Sequence, residues 1–170
     1  FYYAYHGDAL GDGTILIHNS HMELWDTCTA ELFGVAKRNT QRLFPWACSS
    51  LAEVMDEIGA EDADWRTSAE KDVFLRKMPL WVLSNEKRTY GAACILYPGV
   101  LAGIAENIGD FFIIPSSVHE VIILPDTGNE LPEGLKEMVR CVNDMEVKRQ
   151  EILSYSLYRY DSGKGLVEKI

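Results

Sequence analysis

The sequence predicts an α+β domain, a largely antiparallel sheet with helices packed against it. Short β-rich runs are joined by brief polar turns, as at residues 84–88 and at Ser116, and short connections favour antiparallel pairing. Helical periodicity separates these runs over 51–58, 98–108 and 130–143. The apolar share of 47% in 170 residues is large enough for a buried core.

The predicted first half, residues 1–59, opens with a hairpin. Residues 1–6 (FYYAYH) and 14–18 (TILIH) have the composition of strands. The glycines and aspartates of 7–13 are typical of a turn. Two antiparallel strands are therefore expected here.

Two helices are predicted after the hairpin. Asn19 and Ser20 can cap a short helix, because their side-chain oxygens accept hydrogen bonds from free backbone N–H groups. A longer helix follows, with Leu32, Val35 and Ala36 on one face.

Extended chain is predicted again over residues 42–48, and Pro45 restricts it to the edge of a sheet or to the end of a strand. Ser50 and Glu53 form a capping box that begins a helix, and Gly59 is expected to end it. This helix has the clearest pattern of the first half.

Residues 60–79 open with acidic side chains and are predicted to connect the first half to a second half, residues 80–161. The strands of the second half are predicted at 80–83, 92–96, 111–114, 118–124 and 155–161. Its helices are predicted at 98–108, 130–143 and 146–154. Residues 1–161 are expected to form a single domain and 162–170 a tail.

Charge and cysteine content restrict the classes of partner. The net charge is −10, with no cluster of Lys and Arg broad enough to bind phosphates, so neither nucleic acid nor a membrane is expected as a partner. The four cysteines are far apart and include no C-x-x-C pair, which favours free thiols in a cytoplasmic protein. There is no signal segment, and the start at Phe1 rather than Met indicates a piece of a longer protein.

Ser116, Ser117, His119 and Glu120 are the best candidates for a functional site. A serine hydrolase needs a hydroxyl, an imidazole that takes its proton and a carboxylate that orients the imidazole. On an extended segment, Ser117 and His119 would point to one side and Glu120 to the other. Asp126 or a distant residue would then supply the carboxylate. The alternative is a tight turn whose side chains satisfy backbone groups.

Two further groups of residues are candidates for binding. His18 and His21 lie at a strand-to-helix junction and are weak candidates for metal ligands, although solvated cap residues are the simpler interpretation. No cofactor is predicted. Tyr155, Tyr158 and Tyr160 can form an exposed aromatic face for a partner, and packing into the core is the alternative.

Several segments together resemble an uncharacterised family of unknown function from anaerobic Firmicutes. They are HMELW at 21–25, AKRNTQRLFP at 36–45, WVLSN at 81–85, YGAA at 90–93 and PSSVHEV at 115–121. The P-S-S-x-H-E box is the most specific of these, and the similarity covers residues from about 13 to 161. The resemblance implies the C-terminal part of a longer protein and no known reaction, ligand or partner.

Two functional hypotheses follow from the sequence. The first is a cytoplasmic module that binds an unknown protein or small molecule, with homo-oligomerisation as an open option. The second is a small hydrolase that uses Ser117 or Ser116 together with His119. A hydroxyl within hydrogen-bonding distance of the imidazole would favour the hydrolase.

Overall fold

The computed structural model describes residues 2–5, 13–61, 79–129 and 132–170. The chain forms two compact units, Phe1–Thr40 and Gln41–Ile170. Most of the predicted turn at 7–13 and of the predicted connector lies outside the described residues. The single domain with its two halves therefore stays a prediction.

The first unit contains a hairpin and two helices. Strands β1 (Tyr2–Tyr5) and β2 (Gly13–Leu16) pair antiparallel, which confirms the predicted hairpin. Helix α1 (Asn19–Leu24) follows, and helix α2 (Thr29–Leu43) begins four residues after Trp25 and runs into the second unit. Both predicted helices are confirmed.

The residue that caps α1 differs from the prediction. His18, rather than Asn19 or Ser20, precedes the first helical residue and is extended, with φ −100° and ψ 165°. Its backbone N–H donates to Nδ1 of His21 at 3.0 Å. The imidazole of His21 thus binds back to the residue before the helix, as a glutamate does in a capping box.

The second unit is built on a six-stranded antiparallel sheet, which confirms the α+β class. Its strands are β3 (Trp46–Ser50), β4 (Trp81–Asn85), β5 (Phe111–Ile114), β6 (Val121–Pro125), β7 (Tyr158–Asp161) and β8 (Leu166–Lys169). The order across the sheet is β3-β4-β6-β5-β7-β8. The strand that follows Pro45 lies at an edge, as its sequence predicts.

Helices cover both faces of this sheet. They are α3 (Leu51–Glu61), a 3₁₀ helix (Gly91–Leu96), α4 (Val100–Ile108) and α5 (Pro132–Glu146). Alternate residues of a strand point to opposite faces. Phe111 and Ile113 accordingly pack against residues of the 3₁₀ helix and α4, whereas Phe112 and Ile114 pack against α5.

The predicted strand at 92–96 is wrong, because this segment is the 3₁₀ helix. Tyr90 has φ 52°, a left-handed conformation that turns the chain out of the extended state. A short apolar run is compatible with a buried strand or a buried helical segment, so periodicity alone could not separate them. Gly91, Ala92 and Cys94 are buried, whereas Leu96 is 55% exposed. The error concerns the backbone conformation of the segment.

Several predicted boundaries also need correction. The strands predicted to start at 42, 118 and 155 begin at Trp46, Val121 and Tyr158, and residues 42 and 43 belong to α2. Helix α3 continues past Gly59 to Glu61, and the chain after α5 forms turns and one isolated bridge instead of a helix over 146–154. Residues 162–170 are not a loose tail. Asp161 accepts the backbone N–H of Lys164, and Gly165 has φ +66°, so the chain turns back and adds β8 to the sheet.

Candidate functional site

The loop at residues 115–120 connects β5 to β6 and contains the four candidate residues. Ser117 is 5% exposed, and its hydroxyl donates to Oε1 of Glu120 at 2.6 Å. Oγ of Ser117 also accepts hydrogen bonds from the backbone N–H groups of His119 at 2.9 Å and of Glu120 at 3.3 Å. Ser117 therefore closes a tight turn, in which a side chain replaces backbone partners.

The imidazole of His119 is bound to a different part of the chain. Its Nδ1 accepts the backbone N–H of Tyr90 at 3.1 Å, and the two rings stack with centroids 5.3 Å apart. An Nδ1 that accepts a hydrogen bond leaves the ring proton of the neutral imidazole on Nε2. His119 thus holds Tyr90, which is in the strained left-handed conformation, in place.

The loop, the end of β4 and the start of the 3₁₀ helix meet at Gly91. Ser84 Oγ donates to the carbonyl oxygen of His119 at 2.8 Å, and the N–H of Ala92 donates to that of Val118 at 3.3 Å. A Cβ atom on Gly91 would lie 2.6 Å from both the Asn85 nitrogen and the His119 oxygen. Only glycine fits at this position without movement of the backbone.

Asn85 orders the neighbouring turn. Its side-chain oxygen accepts the N–H groups of Lys87 and Thr89, and its nitrogen donates to the Thr89 carbonyl at 2.7 Å. The sequence places Asn85 in the predicted polar turn at 84–88 and Gly91 only in the Y-G-A-A segment. The role of Gly91 depends on a contact with a loop about thirty residues further along the chain, which local pattern does not show.

The other side of the loop is bound by the segment before β7. The N–H of Val118 donates to the Glu151 carbonyl at 2.8 Å, and Ser117 forms an isolated antiparallel bridge with Ile152. Asn143 of α5 extends this support, because its side-chain nitrogen donates to the Ser154 carbonyl at 2.9 Å. The loop is therefore hydrogen-bonded on one side to the end of β4 and the 3₁₀ helix, and on the other side to the segment before β7.

These contacts do not produce the arrangement that the hydrolase hypothesis requires. Within the described part of the chain, no hydrogen bond joins the hydroxyl of Ser116 or Ser117 to the His119 ring. The expectation that Glu120 points away from Ser117 is wrong, because the turn brings the two side chains together. Asp126, the suggested orienting acid, instead accepts a hydrogen bond from Nε of Arg159 at 2.7 Å.

The two histidine rings at the start of α1 contact each other and their neighbours in the helix. The rings of His18 and His21 lie edge to face with centroids 5.6 Å apart, and His21 also stacks on Trp25. Among the described residues, no group of three or more His, Cys, Asp or Glu side chains is arranged to hold a metal ion.

The tyrosines near the C-terminal end belong mainly to the core. Tyr160 is 6% exposed and stacks on Phe111 with ring centroids 5.1 Å apart, and Tyr158 packs against the same cluster. Tyr155 is exposed, and its hydroxyl donates to Asp144 at 2.8 Å. Core packing, the alternative to an exposed aromatic face, is thus confirmed for Tyr158 and Tyr160.

Arg159 joins the ends of three strands through carboxylates that the sequence did not single out as a group. Besides Asp126, it donates to Asp110 at 2.6 Å. Asp110 also accepts both the hydroxyl and the backbone N–H of Ser162, and these bonds, together with the Arg159 guanidinium, lower the pKa of Asp110. Lys164 similarly lowers the pKa of Asp161. The network fixes the turn that leads into β8.

Two large apolar residues, adjacent in sequence, are exposed at the end of α1. Leu24 is 79% exposed and Trp25 is 48% exposed. The adjacent residues in sequence, Glu23 and Asp26, are also exposed. We call these four residues the ELWD patch.

Comparison with known proteins identifies a family but no activity. A model of DUF5688, a family of unknown function, matches residues 1–162, so the chain belongs to this family. A search of curated proteins found no match, and neither did a search of solved structures. Within the described ranges, no helix combines the length and the apolar character needed to cross a membrane.

Proposed function

We propose that this member of the DUF5688 family is a binding module that recognises another protein through Leu24 and Trp25. The observation that carries the proposal is the exposure of two large apolar side chains, next to each other, at the end of a short helix. Exposed aromatic and aliphatic side chains of this kind are typical anchors of protein interfaces.

The P-S-S-x-H-E box, in this proposal, supports the scaffold. Ser117 and His119 use their polar atoms to hold the loop and Tyr90, which leaves neither side chain placed as a nucleophile or a base. The box would then mark the family because the fold depends on it. We also propose that the protein is cytoplasmic, which its four free cysteines support.

The hydrolase remains the alternative function, and it requires the loop to rearrange. Ser117 would have to release Glu120 and approach His119, whose Nδ1 would have to release the N–H of Tyr90. An ester substrate such as p-nitrophenyl acetate tests this alternative directly. Hydrolysis that Ser117→Ala and His119→Gln abolish, while both variants stay folded, would favour the enzyme over the binding module.

Site-specific photo-crosslinking tests the proposed interaction surface. The photoreactive residue p-benzoylphenylalanine is placed at position 24, and in a matched control at position 39, an exposed polar position of α2. In cells that normally contain the protein, we expect one adduct of discrete mass from position 24 and none from position 39. The adduct should also decrease in a Trp25→Ser background. Equal adducts at both positions, or none at either, would contradict the proposal.

A further inference from the structure

We propose that the partner presents an apolar surface whose rim carries Lys or Arg side chains, and that Glu23 and Asp26 pair with this rim. This inference rests on the proposed function, because it describes the surface that Leu24 and Trp25 contact. It adds the charge of the partner surface and the two carboxylates that select it.

The first observation is the position of the charges. Glu23 and Asp26 flank Leu24 and Trp25 directly, and all four residues are exposed. Apolar side chains that pack on such a surface bring their neighbours close to its rim, where a like charge is repelled and an opposite charge is attracted. A rim of Lys or Arg therefore complements this patch, and an acidic rim does not.

The second observation is the hydrogen-bonded turn that presents the patch. Asp26 donates its N–H to the Glu23 carbonyl at 3.3 Å, and Thr27 donates to that of Met22 at 3.1 Å. These two bonds close the end of α1, with Asp26 at φ 47°, in the left-handed conformation common after the last helical residue. A preformed turn reduces the conformational entropy lost on binding.

The third observation is the charge of the whole chain. A net charge of −10 increases the rate at which a basic surface is encountered, although it does not select a particular site. A cationic side chain on the rim can in addition contact the ring of Trp25, since cations are attracted to the faces of aromatic rings. Local and overall charge thus favour the same chemical class of partner.

Two model peptides with identical leucine spacing serve as probes, one with lysine and one with glutamate at every other polar position. Binding of each labelled peptide to the 170-residue chain is measured by fluorescence anisotropy. We expect binding of the lysine peptide only. The Leu24→Ser/Trp25→Ser variant should raise its Kd by about tenfold or more, because apolar burial is lost. Circular dichroism checks that each variant is folded.

Two double variants that remove equal charge distinguish the effect of the ELWD patch on binding from the effect of the net charge. Glu23→Gln/Asp26→Gln should raise the Kd by about threefold to tenfold. Glu106→Gln/Glu137→Gln removes the same number of charges from exposed positions of α4 and α5, and should change the Kd by less than about twofold. Equal effects of the two pairs, no effect of the Leu24/Trp25 variant, or preferential binding of anionic lipid vesicles would overturn the inference.

The crosslinking experiment distinguishes failure of this inference from failure of the proposed function. If the adduct at position 24 forms equally well in the Glu23→Gln/Asp26→Gln background, the basic rim is wrong and the protein-binding function stands. If no adduct forms at position 24 in any background, the proposed function itself fails.

Discussion

Replacement of Gly91 by alanine should destabilise the second unit strongly. The new Cβ would lie 2.6 Å from two backbone atoms, the Asn85 nitrogen and the His119 oxygen, and closer still to Ser84 Oγ. A rotamer change can move the Ser84 hydroxyl, but neither backbone atom can move without separating the end of β4 from the loop at 115–120. The substitution thus tests whether this junction holds the loop.

The expected magnitude follows from the hydrogen bonds that such a separation breaks. They are Ser84 Oγ to the His119 carbonyl at 2.8 Å, the Tyr90 N–H to His119 Nδ1 at 3.1 Å, and the Ala92 N–H to the Val118 carbonyl at 3.3 Å. At roughly 1 kcal/mol each, their loss lowers the free energy of unfolding by about 2–4 kcal/mol. The melting temperature should fall by roughly 6–12 °C.

Urea denaturation followed by tryptophan fluorescence and circular dichroism measures this effect. Gly103→Ala is the matched control, because Gly103 lies within α4 and a Cβ there would meet no atom within 4 Å. The control should stabilise the protein by about 0.5–1 kcal/mol, as alanine is a better helix former than glycine. The double variant Ser84→Ala/Gly91→Ala should remain destabilised, since the two backbone clashes persist. A Gly91→Ala protein within about 0.5 kcal/mol of the wild type would refute the reasoning.

Three further predictions concern the ion network and the cysteines. Arg159→Gln should lower the free energy of unfolding by about 1–2 kcal/mol in urea denaturation, because Asp110 and Asp126 lose a shared charged donor. Unchanged stability would mean that these ion pairs do not contribute to folding. The pKa of Asp110 is lower in the folded state than its ordinary value of 3.8. Its contribution to the free energy of unfolding is therefore complete above pH 3.8 and is lost as the pH falls through the folded-state pKa. Asp110→Asn should reduce the loss of stability below about pH 4, and an unchanged dependence of stability on pH in this range would contradict the prediction. Burial raises the pKa of Cys48 to about 11, so at pH 8 iodoacetamide should alkylate Cys48 at least roughly 100-fold more slowly than the exposed Cys28 and Cys141, as peptide mass mapping would show; comparable rates would mean that Cys48 is accessible.

The sequence predicts the part of the fold that depends on periodicity. The spacing of Val100 and Ile104 predicts α4, and the run at 111–114 predicts a strand buried on both faces, because these patterns decide which side chains leave water. It fails at 91–96, where the apolar run fits two conformations and the left-handed Tyr90 selects the helical one.

The candidate site is predicted as a group of residues but not as an arrangement. Pattern and resemblance identify the loop at 115–120, and strand geometry then places Glu120 on the wrong side of Ser117. The partners that decide the role of the loop, Tyr90 and Glu151, are each about thirty residues away. The Arg159 network likewise joins carboxylates 33 and 49 residues away, which no local spacing records.

The loop at 115–120 supports the fold through the bond between Ser117 and Glu120. A double-mutant cycle of Ser117→Ala and Glu120→Gln, measured by urea denaturation, tests this role because it isolates the interaction of these two side chains. The 2.6 Å bond to a carboxylate predicts a coupling free energy of about 1–3 kcal/mol, with no change in ester hydrolysis. A coupling free energy below about 0.3 kcal/mol, with hydrolysis that disappears in Ser117→Ala, would contradict the claim.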